Sequence, residues 1–531
     1  MSTEAPERGE HARRLARNTA FFSFATGLSR VLGLVREVVA ASYFGVTGAM
    51  SAFTIAFQVP NLVRALFADS ALQGAFVPVF TELLEKGERR EAFRVASTLF
   101  FLICLVLGAV TALFILFAQP IMGLFTPGFD AQLESLTVNL AKIMFPIVGL
   151  LALSGLTVGM LNSFDHFAVP ALAPVAWNIV IILALVGLVP VFPEDDEIYA
   201  YAIGILAGTV VQFLLPLPWL RGRGGRLTFT IDWRNARVWR VLALMLPVTI
   251  ALGLINLSLA VNVAIATLVS DEAPAAIDKA FRIYQLPQGL FSISIATILF
   301  PTLARFAARG ARDDMRRTMA GGVRQIALLL IPSAVLMAVL AEPVTRLVYQ
   351  RGAFGAEATD LTSTALFWWS LSLPFQGASL LFSRTFFSLQ RPWATTALAG
   401  VNLVVNVVLA LALYGRFEIA GIVLATVVGT IVMCVAQAWI LRGALGGVEG
   451  SRLLDTVVRM LVAAALLGAV AYGVWYGADQ ALGDSFIAQV LAVSAALAAG
   501  LAVYVAAVWA LRVPEAREFR ELLVSRRRAP G

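Results

Sequence analysis

The chain has 531 residues, of which 59% are hydrophobic and only 14% charged, and its mean hydropathy is +0.84. Soluble chains carry about 25% charged residues, so a soluble globular protein is excluded and a polytopic membrane protein remains. The net charge of +7 is almost wholly arginine, with lysine only at Lys86, Lys142 and Lys279; in a membrane protein such a balance belongs to loops facing anionic lipid rather than to nucleic-acid binding.

A helix needs roughly 20 residues to cross about 30 Å of hydrocarbon. Fourteen apolar segments reach that length: 17–44, 48–68, 92–118, 136–162, 168–192, 198–220, 239–269, 279–303, 322–347, 362–387, 393–414, 419–442, 455–477 and 486–512. The first is no cleavable signal peptide, because its core is too long and charged and no small-residue cleavage site follows. Arginine and lysine fill the N-terminal tail, the even-numbered gaps (Lys86 to Arg94, Arg221 to Arg240, Arg305 to Arg324, and onward) and the tail "SRRRAPG". Acidic residues mark odd gaps, as in "PEDDE" (Pro193 to Glu197), and only the ninth, with Arg346 and Arg351, is mixed. Basic loops stay in the cytoplasm, which puts both termini there. Cys104 and Cys434 lie in apolar segments and read as core packing, with no disulfide framework or metal site.

An internal echo pairs "FVPVFTELLEKGERREAF" after the second segment with "LFPTLARFAARGARDDMR" after the eighth, and a weaker one pairs segments four and ten. The period is six segments. The fold class expected is therefore an all-α polytopic membrane protein of 14 transmembrane helices, two pseudo-symmetric six-helix lobes plus two C-terminal helices. The expected divisions are a cytoplasmic tail 1–16, an N-lobe 17–220, a C-lobe 239–442, helices 13 and 14 over 455–512, and a cytoplasmic tail 513–531. Two bundles around a central site make a transporter architecture.

Charges inside spans cost several kcal/mol and mark cavities or partners. Arg30, Arg36, Arg64 and Arg282 stand in such positions, with Glu37 and Asp69 able to neutralise part of them. Lys142 and Lys279, nearer segment ends, read as snorkelling to headgroups. Pro60 and Pro287 remove backbone donors near Arg64 and Arg282 and are expected to kink their helices. A fixed excess of guanidinium in a hydrated cavity suits a polyanion, because its forked donors match phosphate oxygens. No "GxxxxGK[ST]" occurs, so nucleotide hydrolysis by that route is excluded.

The stretches "SRVLGLVREVVAASYFG", "AFTIAFQVPNLVRALFADSALQGAFVPVF" and "FRIYQLPQGLFSISIATILFPTLARFA" resemble the signature segments of the MurJ/MviN family, lipid II flippases of peptidoglycan synthesis in the multidrug/oligosaccharidyl-lipid/polysaccharide exporter superfamily. The resemblance implies a multi-pass cell-membrane transporter, not an enzyme. It would move an undecaprenyl-pyrophosphoryl disaccharide-pentapeptide to the outer leaflet by alternating access, as a monomer without a cofactor. The family's cavity arginines match Arg30, Arg36, Arg64 and Arg282, and its acidic residue after the second-helix arginine matches Asp69; where the family often has an acidic residue, this chain has Ser51. The polyprenyl tail is expected beside helices 13 and 14, and the membrane potential would drive the anionic headgroup outward. A sodium site of some members maps onto Asn262, Asn402, Asn406 and Thr426, with amides replacing carboxylates; amide hydrogen bonds between helices are the reading favoured over Na⁺. The alternatives are an exporter of another polyprenyl-linked oligosaccharide or of drugs, a polyprenyl-phosphate enzyme, which would need a metal-binding carboxylate cluster, and a scaffold without transport.

Overall fold

The computed structural model describes residues 4–67, 70–164, 166–222 and 225–515. Among the described residues every regular element is helical. In hydrocarbon every backbone N–H and C=O must be paired within the protein, and a helix pairs them all inside one segment, which makes it the spanning form for such continuous apolar runs. Nine helical runs among the described residues are long and apolar enough to cross a bilayer. The chain packs as two compact units, 1–260 and 261–531.

The first unit contains α1 (Glu4–Phe44), α2 (Gly48–Phe67), α3 (Ser70–Glu85), α4 (Arg89–Leu116), α5 (Ala118–Gly123), α6 (Ala131–Met144), α7 (Ile147–Ser163), α8 (Ala168–Leu188), α9 (Ile198–Leu214) and most of α10 (Ala236–Ala266). The stretch 69–91, a gap in the sequence reading, holds helix α3. Its buried Phe76, Val79, Phe80 and Leu83 recur at helical spacing. Phe76 and Phe80 belong to an aromatic cluster, with Phe80 5.8 Å from Phe93 and 5.9 Å from Phe164 between ring centroids. The segment 136–162 is two helices, because Pro146 between α6 and α7 has no N–H to continue the ladder. Asp130 caps α6, accepting from the Leu133 N–H at 2.8 Å.

The basic stretch after α9 is tied down on α3 and α4. The Thr228 N–H donates to Ser97 Oγ (3.1 Å) and the Asp232 N–H to Thr98 Oγ1 (3.3 Å). Arg94 pairs with Asp232 (3.0 Å), Arg237 with Glu88 (2.7 Å) and Arg240 with Glu82 (3.1 Å). The hydrogen bond and charge of Lys86, joined by Arg240, hold the Glu82 carboxyl below its usual range. Cys104 corrects the core reading, since it is a free thiol on the exposed face of α4, while Cys434 is buried.

The second unit contains α11 (Ala273–Pro287), a π-helical turn Gln288–Ser292, α12 (Ile293–Ala308), α13 (Arg312–Val339), α14 (Ala341–Tyr349), α15 (Ala356–Ser370), α16 (Leu373–Ser388), α17 (Pro392–Leu445), α18 (Gly450–Leu482) and α19 (Phe486–Ala510). The run α17 reverses at Glu418, whose φ of 49° is left-handed. Gly421 permits the reversal, because a Cβ there would lie 2.6 Å from the Leu413 carbonyl oxygen. Small residues bring α18 and α19 close: a Cβ on Gly500 would meet that of Ala471 at 3.0 Å. The pair is fixed to α13 by Tyr504, whose hydroxyl donates to the Leu328 carbonyl (2.8 Å), and by buried Arg324, which pairs with Glu515 and, at 3.2 Å, with Glu449.

Candidate functional site

Arg30, Arg36 and Arg64 belong to the first unit and Arg282 to the second. The buried side of α1 carries Arg36 and Glu37, 7% and 4% exposed. Arg36 Nη2 donates to Glu37 Oε1 at 2.6 Å, and its guanidinium carbon lies 4.6 Å from the centroid of the Trp177 ring on α8. Arg36 Nε and Nη1 are buried with no hydrogen-bond partner. Leaving a buried donor unpaired costs about 1–3 kcal/mol, more for a charged group, and intramembrane charge held at such cost is a functional candidate. Arg30, six residues earlier on the same helix, is exposed and has no ion-pair partner among the described residues. Arg64 is half-buried in the last turn of α2. Ser51, at the position where the resemblance anticipates a carboxylate, is fully buried. Asp69 lies outside the described residues.

The two prolines differ in effect. Around Pro60 helix α2 runs on without interruption, whereas Pro287 ends α11 and a π-helical turn follows. Such turns are frequent at functional sites. Arg282, half-buried one turn before that break, is gripped by Asp278: Nε to Oδ2 at 2.8 Å and Nη2 to Oδ1 at 3.3 Å. Sequence reading missed Asp278, although its i, i−4 spacing from Arg282 was the available signal. It could not have found Trp177, which reaches Arg36 only through the packing of α8 on α1.

Lys279 corrects a second expectation. It does not snorkel but is completely buried, with Nζ 5.9 Å from the centroid of the ring of Tyr349, whose hydroxyl donates to the Lys279 carbonyl (3.5 Å). Lys142, in the last turn of α6, is half-buried.

The amide set does come together within the second unit. Asn262 Nδ2 and Asn406 Nδ2 both donate to Thr426 Oγ1, at 3.0 and 3.1 Å. Asn402 sits one turn away, its Nδ2 3.7 Å from Met433 Sδ. These are the helix-to-helix amide bonds favoured from the sequence. They leave a residue of chemistry, because Oδ1 of Asn262, Asn402 and Asn406 is buried without a partner in all three. An unpartnered amide oxygen is a neutral donor of the type that a monovalent cation takes. No group of three or more His, Cys, Asp or Glu among the described residues suits a metal.

A family model described as "Lipid II flippase MurJ" matches residues 40–510. The chain belongs to the MurJ family. It is 31% identical over 503 residues to a probable lipid II flippase MurJ of Rhizobium meliloti (strain 1021), covering 93% of each chain. Its fold matches a solved lipid II flippase MurJ in an inward closed conformation with a TM-score of 0.74 at 25% identity, over 94% of this chain and 99% of that one. An inward-facing multidrug resistance MATE family transporter of the MOP superfamily matches at 0.66 with 14% identity, over 81% and 95% of the two chains, and shares the fold alone. The resemblance read from the signature stretches is thus shown across the chain, which is a multi-span membrane protein of a transporter family.

Proposed function

We propose that this protein is a lipid II flippase: it carries an undecaprenyl-pyrophosphate-linked peptidoglycan precursor from the inner to the outer leaflet by alternating access and catalyses no covalent chemistry. The observation that carries the reading is the end-to-end family match, 93% of both chains at 31% identity. The arginines supply the chemistry. Arg30, Arg36, Arg64 and Arg282 replace the hydration of the pyrophosphate with charge-assisted hydrogen bonds. In this reading the segments make fourteen spans in two six-helix lobes with two added helices, both termini are cytoplasmic, the lipid tail lies along α18 and α19, and the protein works as a monomer. The membrane potential drives the cycle: about 2.3 kcal/mol per charge per 100 mV favours outward movement of the anionic headgroup and return of the empty cationic site.

A second element rests on the orphaned amide oxygens. Asn262, Asn402, Asn406 and Thr426 hold Na⁺, whose binding biases the conformation of the second unit.

Depleting the protein in its own host tests the reading. A flippase loss accumulates lipid-linked precursor on the cytoplasmic side, whereas loss of a synthetic enzyme removes the precursor, and the latter result would overturn the proposal.

A further inference from the structure

The Arg36 guanidinium is placed by more than its salt bridge. It lies over the face of the Trp177 indole at 4.6 Å from the ring centroid. The indole in turn is fixed at its far edge, where Nε1 donates to Thr209 Oγ1 (3.1 Å) and that hydroxyl donates on to the Ile205 carbonyl (2.8 Å). Gly208 makes room for it, because a Cβ there would stand 3.1 Å from Trp177 Cδ1 and 3.0 Å from the Trp177 carbonyl oxygen. A chain of contacts therefore runs from α9 through the indole of α8 to Arg36 and Glu37 on α1, all within the first unit. An arginine side chain has four rotatable bonds, and one carboxylate contact through Nη2 fixes a single nitrogen, not the plane. The indole face fixes the plane, and does so without consuming a donor, which leaves Nε and Nη1 for another partner.

We propose that Trp177 is a positioning residue for substrate binding: it holds the Arg36 guanidinium plane by a cation–π contact so that the donors Glu37 leaves over meet the anionic oxygens of the pyrophosphate. This rests on the lipid II reading. It does not make Trp177 a contact of the substrate; the indole acts through Arg36.

The test measures binding of undecaprenyl pyrophosphate to the purified full-length protein in lipid nanodiscs, with thermal unfolding recorded for each variant. A desolvated cation–π contact sets the scale. Trp177→Leu should weaken binding about tenfold, and Trp177→Phe, which keeps a π face, should restore it to within about threefold of wild type. Thr209→Val keeps the indole but frees its edge and should give an intermediate loss, a second route should Trp177→Leu fail to fold. In an Arg36→Ala background each of these changes should do nothing further. An equal loss in both backgrounds, or unchanged binding in Trp177→Leu, overturns the proposal. If Arg36→Ala alone binds normally, the functional reading falls and takes this inference with it, whereas loss on Arg36→Ala with none on Trp177→Leu condemns the inference alone.

Discussion

Replacing Glu37 by Gln separates what holds the first unit together from what the arginine is for. The Arg36–Glu37 pair is 2.6 Å long, with side chains 9% and 5% exposed, so water screens it little. Two of the guanidinium nitrogens already lack partners, and Glu37→Gln leaves the positive charge buried without its carboxylate. Breaking a buried pair from one side costs about 3–5 kcal/mol, and the loss should appear in denaturant or thermal unfolding of the protein in detergent. Replacing both residues by apolar ones of similar volume, Arg36→Met with Glu37→Leu, removes the desolvation penalty along with the attraction and should return stability to within about 1 kcal/mol of wild type. That double variant should nevertheless fail to support growth of cells depleted of their own flippase. A single substitution costing under about 1 kcal/mol, or a double variant that complements, would refute the reasoning, the first for the energetics and the second for the role of Arg36.

The Arg282–Asp278 pair should behave in the opposite way. Its side chains are 31% and 20% exposed and it is an i, i+4 pair, so Asp278→Asn should change stability by no more than about 0.5 kcal/mol while transport falls severalfold; a stability loss matching the activity loss would make the pair structural. Replacing potassium by sodium should raise the unfolding temperature of the wild type and not of Asn406→Ala, and an equal response of both would remove Na⁺ from that amide set. Gly421→Ala places a Cβ 2.6 Å from the backbone oxygen of Leu413, where no flexible side chain can give way, and should cost about 1–3 kcal/mol in the unfolding assay; an unchanged midpoint would show that the reversal at Glu418 has slack.

The helical character was legible in the sequence because hydrocarbon leaves the backbone few other choices, and the charged residues inside spans were legible because they break an apolar pattern. Packing was not legible. The run after α2 reads as a polar gap, since its charges are obvious and the stripe of Phe76, Val79, Phe80 and Leu83 is not until α4 and α7 close over it. Lys279 reads as an end residue by position, yet tertiary contacts bury it completely. Asn262 and Asn406 are 144 residues apart in sequence, and only the fold shows that both reach the Thr426 hydroxyl. The surroundings of Arg36 are the clearest case: Glu37 is its neighbour in sequence, while Trp177 on another helix could be paired with it only by the packing of α8 against α1.

The most direct measurement is the outer-leaflet exposure of lipid II headgroups in cells whose only flippase is this protein, read by an added enzyme that cleaves the headgroup from outside. Wild type should sustain cleavage, collapse of the membrane potential should stop it, and Arg36→Ala and Arg282→Ala should abolish it even per molecule of protein that remains in the membrane. Undiminished cleavage with both arginine variants would contradict the claim that these guanidinium groups carry the pyrophosphate.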